Sequence, residues 1–379
     1  MNIEDIRAEI DGIDDEMVAL FLKRIDAVSK IAEKKAEAGV SVNDPDREDK
    51  ILYRLTKDLP DRLKLYIKEI YAAVFSTSKD HQSSIMGVKG ATAEKLAAAI
   101  KGGQKAFPVS AAVACQGVVG SNSYTAAKKL FPILDVSYFR TFEGVFSAVD
   151  KGFCEYGVLP IENSTAGSVN EVYDLMKKYD FCIVRSVRIK IDHCLAAVKG
   201  CKTEDIVKVC SHPQALSQCD KFLSENKFET VAVENTAVGA KRLAESGDKT
   251  CAVLCSEDCA AIYGLEILKR SVQNSSANYT RFICIAKKLT VFAESNKISV
   301  MTSLKHRPGS LNKALSRFSA VGLDLTKIES RPIDDSPFEF MFYFDFDGNV
   351  EDKNVLNVIS EMEADSDNFA FLGCYREIV

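Results

Sequence analysis

The stretch IEDIRAEIDGIDDEMVALFLKRIDAVSKIAEKKAEAG, residues 3–39, decides the fold of the first part of the chain. Apolar residues recur in it at steps of three and four, which is the spacing of one face of an α-helix. They are Ile3, Ile6, Ile10, Ile13, Met17, Leu20, Val28 and Ile31. Gly39, followed by Val-Ser-Val, supplies a stop signal. The stretch therefore predicts one very long amphipathic helix.

Two shorter helices are predicted next. Asn43-Asp44-Pro45-Asp46 gives a start signal for a helix through about Thr56, and Pro60-Asp61 opens a third helix. That third helix carries Leu63, Ile67, Ile70 and Val74 on one side. A very long helix with two shorter ones cannot cover its own apolar stripe in a compact monomer. We therefore expect an intertwined dimer.

Four cationic residues mark this helical region: Arg7, Arg24, Lys35 and Arg47. Most charges on helices form a solvated face, and that interpretation applies to these four as well. Arg24 and Lys35 are eleven residues apart, almost a whole number of turns, so both project from one face. Arg7 lies about 25 Å along the axis from Arg24. In an antiparallel dimer, Arg7 of one chain can reach the site of the other.

The sequence pattern changes after a mixed connector at residues 83–111, which contains a short predicted helix at 93–100. Strands and helices then alternate in two sets, residues 111–179 and 191–268, which indicates α/β architecture with two lobes and a ligand cleft between them. From Lys297 the order becomes strand, helix, strand, strand, helix, strand, which is ferredoxin-like.

Four polar stretches stand out in the α/β part. They are GVVGSNS at 117–123, PIENSTAG at 160–167, SHPQAL at 211–216 and NYTRF at 278–282. Polar clusters that follow strands in α/β folds face ligand crevices, and the start of a helix offers backbone N–H groups to anions. His193 and His212 titrate near neutrality and are candidate acids, although a structural hydrogen bond is the commoner role for a histidine.

The first 85 residues resemble the all-helical chorismate mutases. The resemblance rests on polar residues in matching order and spacing: Arg7, Arg24, Lys35, Asp44, Arg47, Glu48, Ser78 and Gln82. It implies that Arg7, Arg24 and Arg47 bind the two carboxylates of chorismate, that Lys35 and Gln82 contact the ether oxygen, and that Glu48 receives the ring hydroxyl. A Claisen rearrangement requires no proton transfer, so fixed cations that hold the compact conformer and stabilise charge on that oxygen are suitable catalysts.

Residues from about 112 to 288 resemble the prephenate dehydratases, through the PIENS, SHPQ and TRF elements in this order. Val118 departs from the family's usual proline, which changes only the stiffness of a loop. The resemblance implies that Thr280 is nearest the leaving hydroxyl and that Arg281 holds a carboxylate or braces the site. The other implied site residues are Ser121, Ser123, Glu162, Asn163, Ser164, Thr165, Gln214 and Phe282.

Residues 297–379 resemble the ACT regulatory domain of phenylalanine-inhibited dehydratases. The matching elements are Arg307-Pro308-Gly309-Ser310-Leu311, at a helix start, and Glu329-Ser330-Arg331-Pro332, at a strand end. The resemblance implies an L-phenylalanine pocket built where two such domains pair. The expected fold is therefore multidomain: an all-α mutase domain at 1–85, a linker at 86–111, a two-lobed α/β dehydratase domain at 112–290 and an α+β ferredoxin-like ACT domain at 297–379.

Composition limits the other classes of function. A net charge of −5 provides no basic surplus for nucleic acid or anionic membranes, and no apolar run is long enough to span a bilayer. We expect a cytoplasmic homo-oligomer, a dimer or a dimer of dimers, that needs no cofactor and no metal. The spacing of Cys251, Cys255 and Cys259 suggests one helix face, and we expect buried thiols there rather than zinc ligands. Arogenate as the substrate, and a non-catalytic small-molecule sensor, remain as alternatives.

Overall fold

The computed structural model describes residues 2–40, 42, 44–86, 91–101, 106–304, 309–333 and 336–379; for residues 45, 84, 101 and 336–339 it describes the backbone alone. The chain separates into two compact units, Met1–Glu94 and Lys95–Val379. The division falls inside a short helix, α4 (Ala91–Lys101), close to the one predicted.

The first unit consists of three helices, which confirms the prediction for this region. They are α1 (Ile3–Ala38), α2 (Pro45–Thr56) and α3 (Asp61–Ile85). Each end of α1 has a physical cause: Asn2 accepts a hydrogen bond from the Asp5 N–H, and Gly39 adopts φ 64°, a conformation that glycine enters without strain. Asp44 caps α2 by accepting from the Arg47 N–H at 3.1 Å.

Both α1 and α2 pack on α3, yet most of the apolar stripe of α1 remains exposed. In α1 only Val28 and Ala32 are buried. Apolar residues along the rest of the helix are between 42% and 70% exposed, namely Ile3, Ile6, Ile10, Ile13, Met17, Val18, Leu20, Leu22 and Ile31. An apolar stripe of this length is the feature that led us to expect a partner chain.

The second unit begins with a lobe built on a mixed sheet. Its elements are β1 (Ser110–Gln116), α5 (Asn122–Leu130), β2 (Ile133–Phe139), α6 (Phe142–Asp150), β3 (Tyr156–Asn163), β4 (Gly167–Ser168), α7 (Asn170–Tyr179) and β5 (Cys182–Lys190). β1 pairs in parallel with β2 and β3, and Val113, Leu159 and Ile283 belong to its buried core.

A second lobe follows on its own sheet, which has the strand order β10-β6-β9-β7-β8. Its elements are β6 (Cys194–Ala197), the 3-10 turn Thr203–Asp205, β7 (Lys208–Ser211), α8 (Pro213–Gln218), α9 (Asp220–Glu225), β8 (Glu229–Ala232), α10 (Thr236–Ser246), β9 (Cys251–Cys255), α11 (Glu257–Ile262) and β10 (Glu266–Lys269). The chain then returns to the first lobe through β11 (Tyr279–Ala286), which lies between β3 and β5. The predicted two-lobed α/β architecture is therefore observed.

The remaining elements follow in the order strand, helix, strand, strand, helix, strand. They are β12 (Lys297–Ser303), α12 (Ser310–Ala320), β13 (Leu325–Ile333), β14 (Ser336–Asp347), α13 (Lys353–Asp365) and β15 (Phe369–Ile378). This C-terminal region shares one ten-stranded sheet with the first lobe, because β15 pairs in parallel with β5. A Cβ atom on Gly373 would lie 2.1 Å from the Ile183 carbonyl oxygen, so only glycine permits this approach.

A buried cluster of charges reinforces that junction. The guanidinium of Arg281, on β11, pairs with Asp345 of β14 and Glu377 of β15, and it donates to the Tyr375 hydroxyl at 2.6 Å. All four side chains are nearly excluded from water. Removing residues 297–379 would take both carboxylate partners from Arg281 and leave β5 without β15 at one edge, which is destabilising. The C-terminal region is thus a structural part of the second unit.

One expectation about the cysteines was wrong. Cys251 and Cys255 are the two ends of strand β9 and only Cys259 lies on a helix, so the three do not line one helix face. The hydrophobic sequence at 251–255 is a buried central strand, and burial raises the pKa of the Cys251 thiol to about 12. Among the described residues no group of three metal-binding side chains converges, and no helix is long and apolar enough to cross a membrane.

Candidate active sites

In the helical unit, several predicted site residues meet between α1 and α3. Arg24 donates from Nη1 to the Ser78 hydroxyl, and Gln82 donates to the Ser78 carbonyl oxygen at 3.2 Å. The Gln82 side chain is buried, and its Oε1 has no hydrogen-bond partner. An unpaired buried polar atom costs stability and so requires an explanation, and a contact with a bound ligand is one.

The other predicted residues of this unit make separate contacts or are exposed. Lys35 donates to the Val42 carbonyl oxygen at 2.9 Å, and Glu48 pairs with Lys79 at 2.8 Å. Lys79 was not predicted. Arg7 and Arg47 are exposed. The carboxylate of Asp44 serves as the cap of α2, a role that its position in the Asn-Asp-Pro-Asp signal already indicated.

In the second unit, a cavity of about 460 Å³ opens between the two lobes, within the size range of small-molecule sites. Six of the predicted residues line it: Ser121, Ser123, Asn163, Gln214, Thr280 and Phe282. Its lining also includes Gln116, Asn122, His193, His212, Gln218, Glu234, Asn235 and Thr236. Of the predicted residues, Glu162, Ser164, Thr165 and Arg281 are not part of the lining.

The pairing of β3 with β11 explains which side chains enter the cavity. Residues opposite each other on neighbouring strands point to the same face, and successive residues alternate. Thr280 is opposite Asn163, and both line the cavity. Arg281 is opposite Glu162, so both leave by the other face. A bulge then places Phe282 opposite Pro160, which returns both to the cavity.

The orientation of the Asn163 amide is fixed by its neighbours. Its Oδ1 accepts from the backbone N–H groups of Thr165 and Ala166, at 3.1 and 2.9 Å, so the other end must be the NH2 group. That NH2 group donates to Thr280 Oγ1 at 2.8 Å and to Asn278 Oδ1 at 2.8 Å. Since the Thr280 oxygen accepts from Asn163, the Thr280 hydroxyl proton is available for donation to a ligand.

Gln218 extends this network across the cleft. Its Nε2 donates to Thr165 Oγ1 at 3.1 Å, and its Oε1 accepts from Asn278 Nδ2 at 3.0 Å. The same Oε1 lies 3.1 Å from His193 Nε2, so this ring nitrogen carries the proton. Ser164 and Thr165 stabilise the loop that follows β3. Thr165 accepts from Gln218, and the Ser164 hydroxyl donates to the Ala277 carbonyl oxygen at 3.0 Å. Gln218 is a site residue that the sequence analysis missed.

Both histidines of the cavity are neutral near pH 7. Burial lowers the pKa of His193, and burial also lowers the pKa of His212. His212 Nδ1 caps α8 by accepting from the Gln214 N–H at 3.2 Å, so the proton of the neutral ring is on Nε2. The proton of His193 is already bonded to Gln218. Of the two, His212 is therefore the better placed to donate to a ligand.

The cavity offers helix N-termini rather than side-chain cations to an anion. Lys and Arg are absent from the described lining residues. Instead, α5 starts at the cavity with Ser121 as its cap, and α10 starts there with Asn235 as its cap. The N–H groups and the positive end of each helix favour a carboxylate.

The predicted effector residues occupy two places in the C-terminal region. Gly309, with φ 83°, precedes α12, and Ser310 and Leu311 form its first turn; Pro308 lies outside the described residues. Along β13, Glu329 and Arg331 face the first lobe, while Ser330 and Pro332 are on the exposed face.

Comparisons with known proteins agree with this division. A family model for prephenate dehydratase matches residues 113–290, and one for type II chorismate mutase matches residues 6–83. The bifunctional chorismate mutase/prephenate dehydratase of Escherichia coli strain K12 is 30% identical over 379 residues, which covers 98% of this chain and 95% of that protein. The chain belongs to the bifunctional chorismate mutase/prephenate dehydratase family. It is an enzyme of phenylalanine biosynthesis that carries both activities, as the sequence predicted.

Other relatives cover about 70% of this chain. An arogenate dehydratase/prephenate dehydratase of Arabidopsis thaliana is 36% identical, covering 69% of this chain and 72% of the relative. The structure of a prephenate dehydratase from Arthrobacter aurescens in complex with L-Phe is 26% identical, with a TM-score of 0.64 over 70% of this chain and 89% of that one. GqqA, described as a quorum-quenching acylase, has 28% identity and the same TM-score, over 70% of this chain and 98% of its own.

Proposed function

We propose that the dehydratase step takes place in the cleft cavity, with Thr280 donating to the leaving hydroxyl of prephenate. The observation that carries this proposal is the fixed Asn163 amide, which directs the Thr280 proton away from itself. Prephenate loses its ring carboxylate as CO2, and the bond electrons enter the ring as the C–O bond breaks. The hydroxyl group takes up one proton and leaves as water. A preorganised donor at the departing oxygen lowers the barrier to this step.

The two carboxylates of prephenate would be bound by neutral donors. The N-termini of α5 and α10, with Ser121 and Ser123 beside the first, supply N–H and hydroxyl groups. Gln214 and the Nε2–H of His212 add donors from the second lobe. Phe282 offers an apolar surface to the ring. Neutral donors leave the carboxylate to be lost less strongly held than a buried cation would, which suits a decarboxylation.

Prephenate, rather than arogenate, is the substrate that this cavity favours. Arogenate carries an ammonium group, which needs an acidic partner. Glu234 is the acidic residue among the described lining residues, and its carboxylate is already bound by Arg242 at 3.1 Å to each oxygen. The mutase unit of the same chain also produces prephenate. We expect kcat/KM for prephenate to exceed that for arogenate at least tenfold; the opposite ratio would establish arogenate as the preferred substrate.

In the helical unit, we propose that Arg24, Arg47 and the partner's Arg7 bind the carboxylates of chorismate. Lys35 and Gln82 would contact the ether oxygen, with Glu48 at the ring hydroxyl. Asp44 and Ser78 would orient these groups. The exposed stripe on α1 supports assembly of this site in a homodimer. The buried, unpaired Oε1 of Gln82 supports a ligand contact at that residue. Incubation with chorismate alone should yield phenylpyruvate, detected by its absorbance in base.

We further propose that the C-terminal region is an ACT-type domain through which L-phenylalanine inhibits the dehydratase. The N-terminus of α12 at Gly309–Leu311 would receive the carboxylate of the amino acid, and Ser330 and Pro332 on the exposed face of β13 would complete the pocket. The bound L-Phe in the Arthrobacter aurescens dehydratase structure supports this assignment. The domain boundaries given above and a cytoplasmic location belong to the same proposal.

Point variants test the sensor better than deletion, because residues 297–379 share a sheet and buried charges with the catalytic lobe. Leu311→Ala and Ser330→Ala change exposed side chains at the proposed pocket. Each should raise the phenylalanine concentration needed for half-inhibition about tenfold, as expected for the loss of one good contact. Unchanged inhibition in both variants would place the effector elsewhere.

A further inference from the structure

Strand β13 presents charged side chains to the catalytic lobe. Its residues alternate between half-buried and exposed, and Lys327, Glu329 and Arg331 fall on the half-buried face. Arg331 pairs with Asp174 of α7 at 3.0 Å. Lys327 and Glu329 contact the loop between β3 and β4 at the edge of the cleft. These contacts have no part in the proposed mutase or dehydratase chemistry.

That loop is the tip of a small hairpin made by β3 and β4. Glu162 pairs with Ser168 and Asn163 with Gly167 across it. The tip lines the cleft cavity through Asn163, Ala166 and Gly167. Since Asn163 fixes the Thr280 hydroxyl, the position of this hairpin sets the position of the proposed proton donor.

Lys327 holds both strands at the base of the hairpin. Its Nζ lies 3.3 Å from Glu162 Oε2 and donates to Ser168 Oγ at 3.0 Å. The Ser168 hydroxyl in turn donates to Glu329 Oε2 at 2.7 Å. The Lys327 side chain is only 9% exposed, and its Nζ lies over the ring of Tyr173. Such a group is far less screened than a surface lysine.

The local charges make this contact a strong determinant of the hairpin position. Lys327 is one cation between two carboxylates, those of Glu162 and Glu329. Its Nζ lies 4.0 Å from Glu329 Oε2. Without the ammonium group, two partly exposed like charges, 37% and 26% accessible, would lie close together with no cation between them. The hairpin would then move away from β13 and carry Asn163 with it.

We propose that Lys327 is a positioning residue of the dehydratase. From the C-terminal region it fixes the hairpin that carries Asn163, and Glu162 is its anchor rather than a group that contacts substrate. The C-terminal region thereby supports turnover in the absence of any effector.

The test compares Lys327→Met with Lys313→Met in the full chain. Lys313 is paired with Asp365 inside the C-terminal region and has no contact with the hairpin, so it controls for loss of a paired lysine. Lys327→Met should lower dehydratase kcat about tenfold or more, with KM changed less than about threefold, because the lost contact is a charge-assisted hydrogen bond that orients the donor. Lys313→Met should stay within about twofold of the parent, and mutase activity should not change in either variant.

Rescue separates positioning from general stability. Lys327→Arg keeps the charge and should retain kcat within about threefold of the parent. Should Lys327→Met fail to fold, Lys327→Gln takes its place, since it retains a donor to Ser168 without the charge. A folded Lys327→Met or Lys327→Gln protein whose kcat is within twofold of the parent would overturn the proposal. A fall in kcat that Arg does not restore would overturn it as well.

Discussion

The two catalytic regions of this chain differ in how completely one chain builds them. In the helical unit, α1 buries only Val28 and Ala32, and the cation at Arg7 stands on an exposed stripe far from Arg24. In the cleft of the second unit, Asn163, Thr280 and, through Thr165, Gln218 are joined by hydrogen bonds of 2.7–3.1 Å between side chains. The proposed dehydratase site is built from one chain, whereas the proposed mutase site includes Arg7 of a partner chain.

This difference follows from the architectures. Three helices in a row offer one apolar stripe and no second layer to cover it, so a partner has to provide that layer. Two sheets joined by crossing strands form a cleft from residues far apart in sequence and supply both layers themselves. We therefore expect the mutase site to depend on assembly and the dehydratase site not to.

The largest effect is expected from Thr280→Ala. It removes the proposed donor to the leaving hydroxyl, so dehydratase kcat should fall about a hundredfold to a thousandfold. Mutase activity in the same protein should be unchanged. Thr230→Ala, on the exposed edge strand β8, is the matched control and should behave like the parent. A near-normal rate for Thr280→Ala would exclude its role.

Arg24→Met tests the mutase site in the same way. Loss of the guanidinium removes the proposed charged contact to substrate and the hydrogen bond to Ser78, so mutase kcat/KM should fall about a hundredfold while dehydratase rates are unchanged. Lys23→Met, the exposed neighbour on the same helix, controls for loss of charge. Equal mutase rates in the two variants would contradict the assignment of Arg24.

Gly373→Ala tests the joint between the C-terminal region and the catalytic lobe. The added methyl group would overlap the Ile183 carbonyl, so the free energy of unfolding should fall by about 3 kcal/mol. Gly152→Ala shares a positive φ but meets no atom within 4 Å, and its cost should be about 1 kcal/mol. Urea denaturation of the two proteins measures the difference; equal costs would mean that β15 does not hold this register.

The smallest effect is a pH dependence of stability in the cleft. Burial lowers the pKa of His193 in the folded chain. Below about pH 6.5, His193 therefore binds a proton in the unfolded chain but not in the folded one. Stability is retained above that pH and falls as pH drops toward the lowered pKa, by at most about 1.4 kcal/mol per unit. His193→Gln should flatten the decline between pH 7.5 and 5.5. His212, whose pKa is lowered in the same direction, accounts for part of the remaining slope.

Local sequence patterns predicted most of the helices and strands, but they did not predict the contacts between segments that are distant in sequence. The three helices of the first unit carry a regular apolar spacing and cap signals, so their positions could be read within a few residues. The buried strand at Cys251 was misassigned because a short apolar run has no distinguishing period. The pairing of β15 with β5 joins residues almost two hundred positions apart, and the sequence contains no local signal for it.

The alternation of side chains along β11 could have shown which residues of the TRF element enter the cavity. Neighbouring residues of a strand point to opposite faces, so Thr280 and Arg281 cannot both enter one cavity. The same rule separates Asn163 from Glu162. The partners of the outward pair, Lys327 for Glu162 and Asp345 for Arg281, could not be predicted, since they depend on where the C-terminal region docks.

The contrast between the two sites is tested most directly by mixing inactive chains. Arg7→Ala mixed with Arg24→Ala should recover about a quarter of parental mutase activity, because half of randomly paired dimers are mixed and each contains one intact site. Thr280→Ala mixed with Asn163→Ala should recover no dehydratase activity, because both residues belong to the same chain's cavity. Absence of mutase recovery despite demonstrated subunit exchange, or recovery of dehydratase activity, would contradict the account.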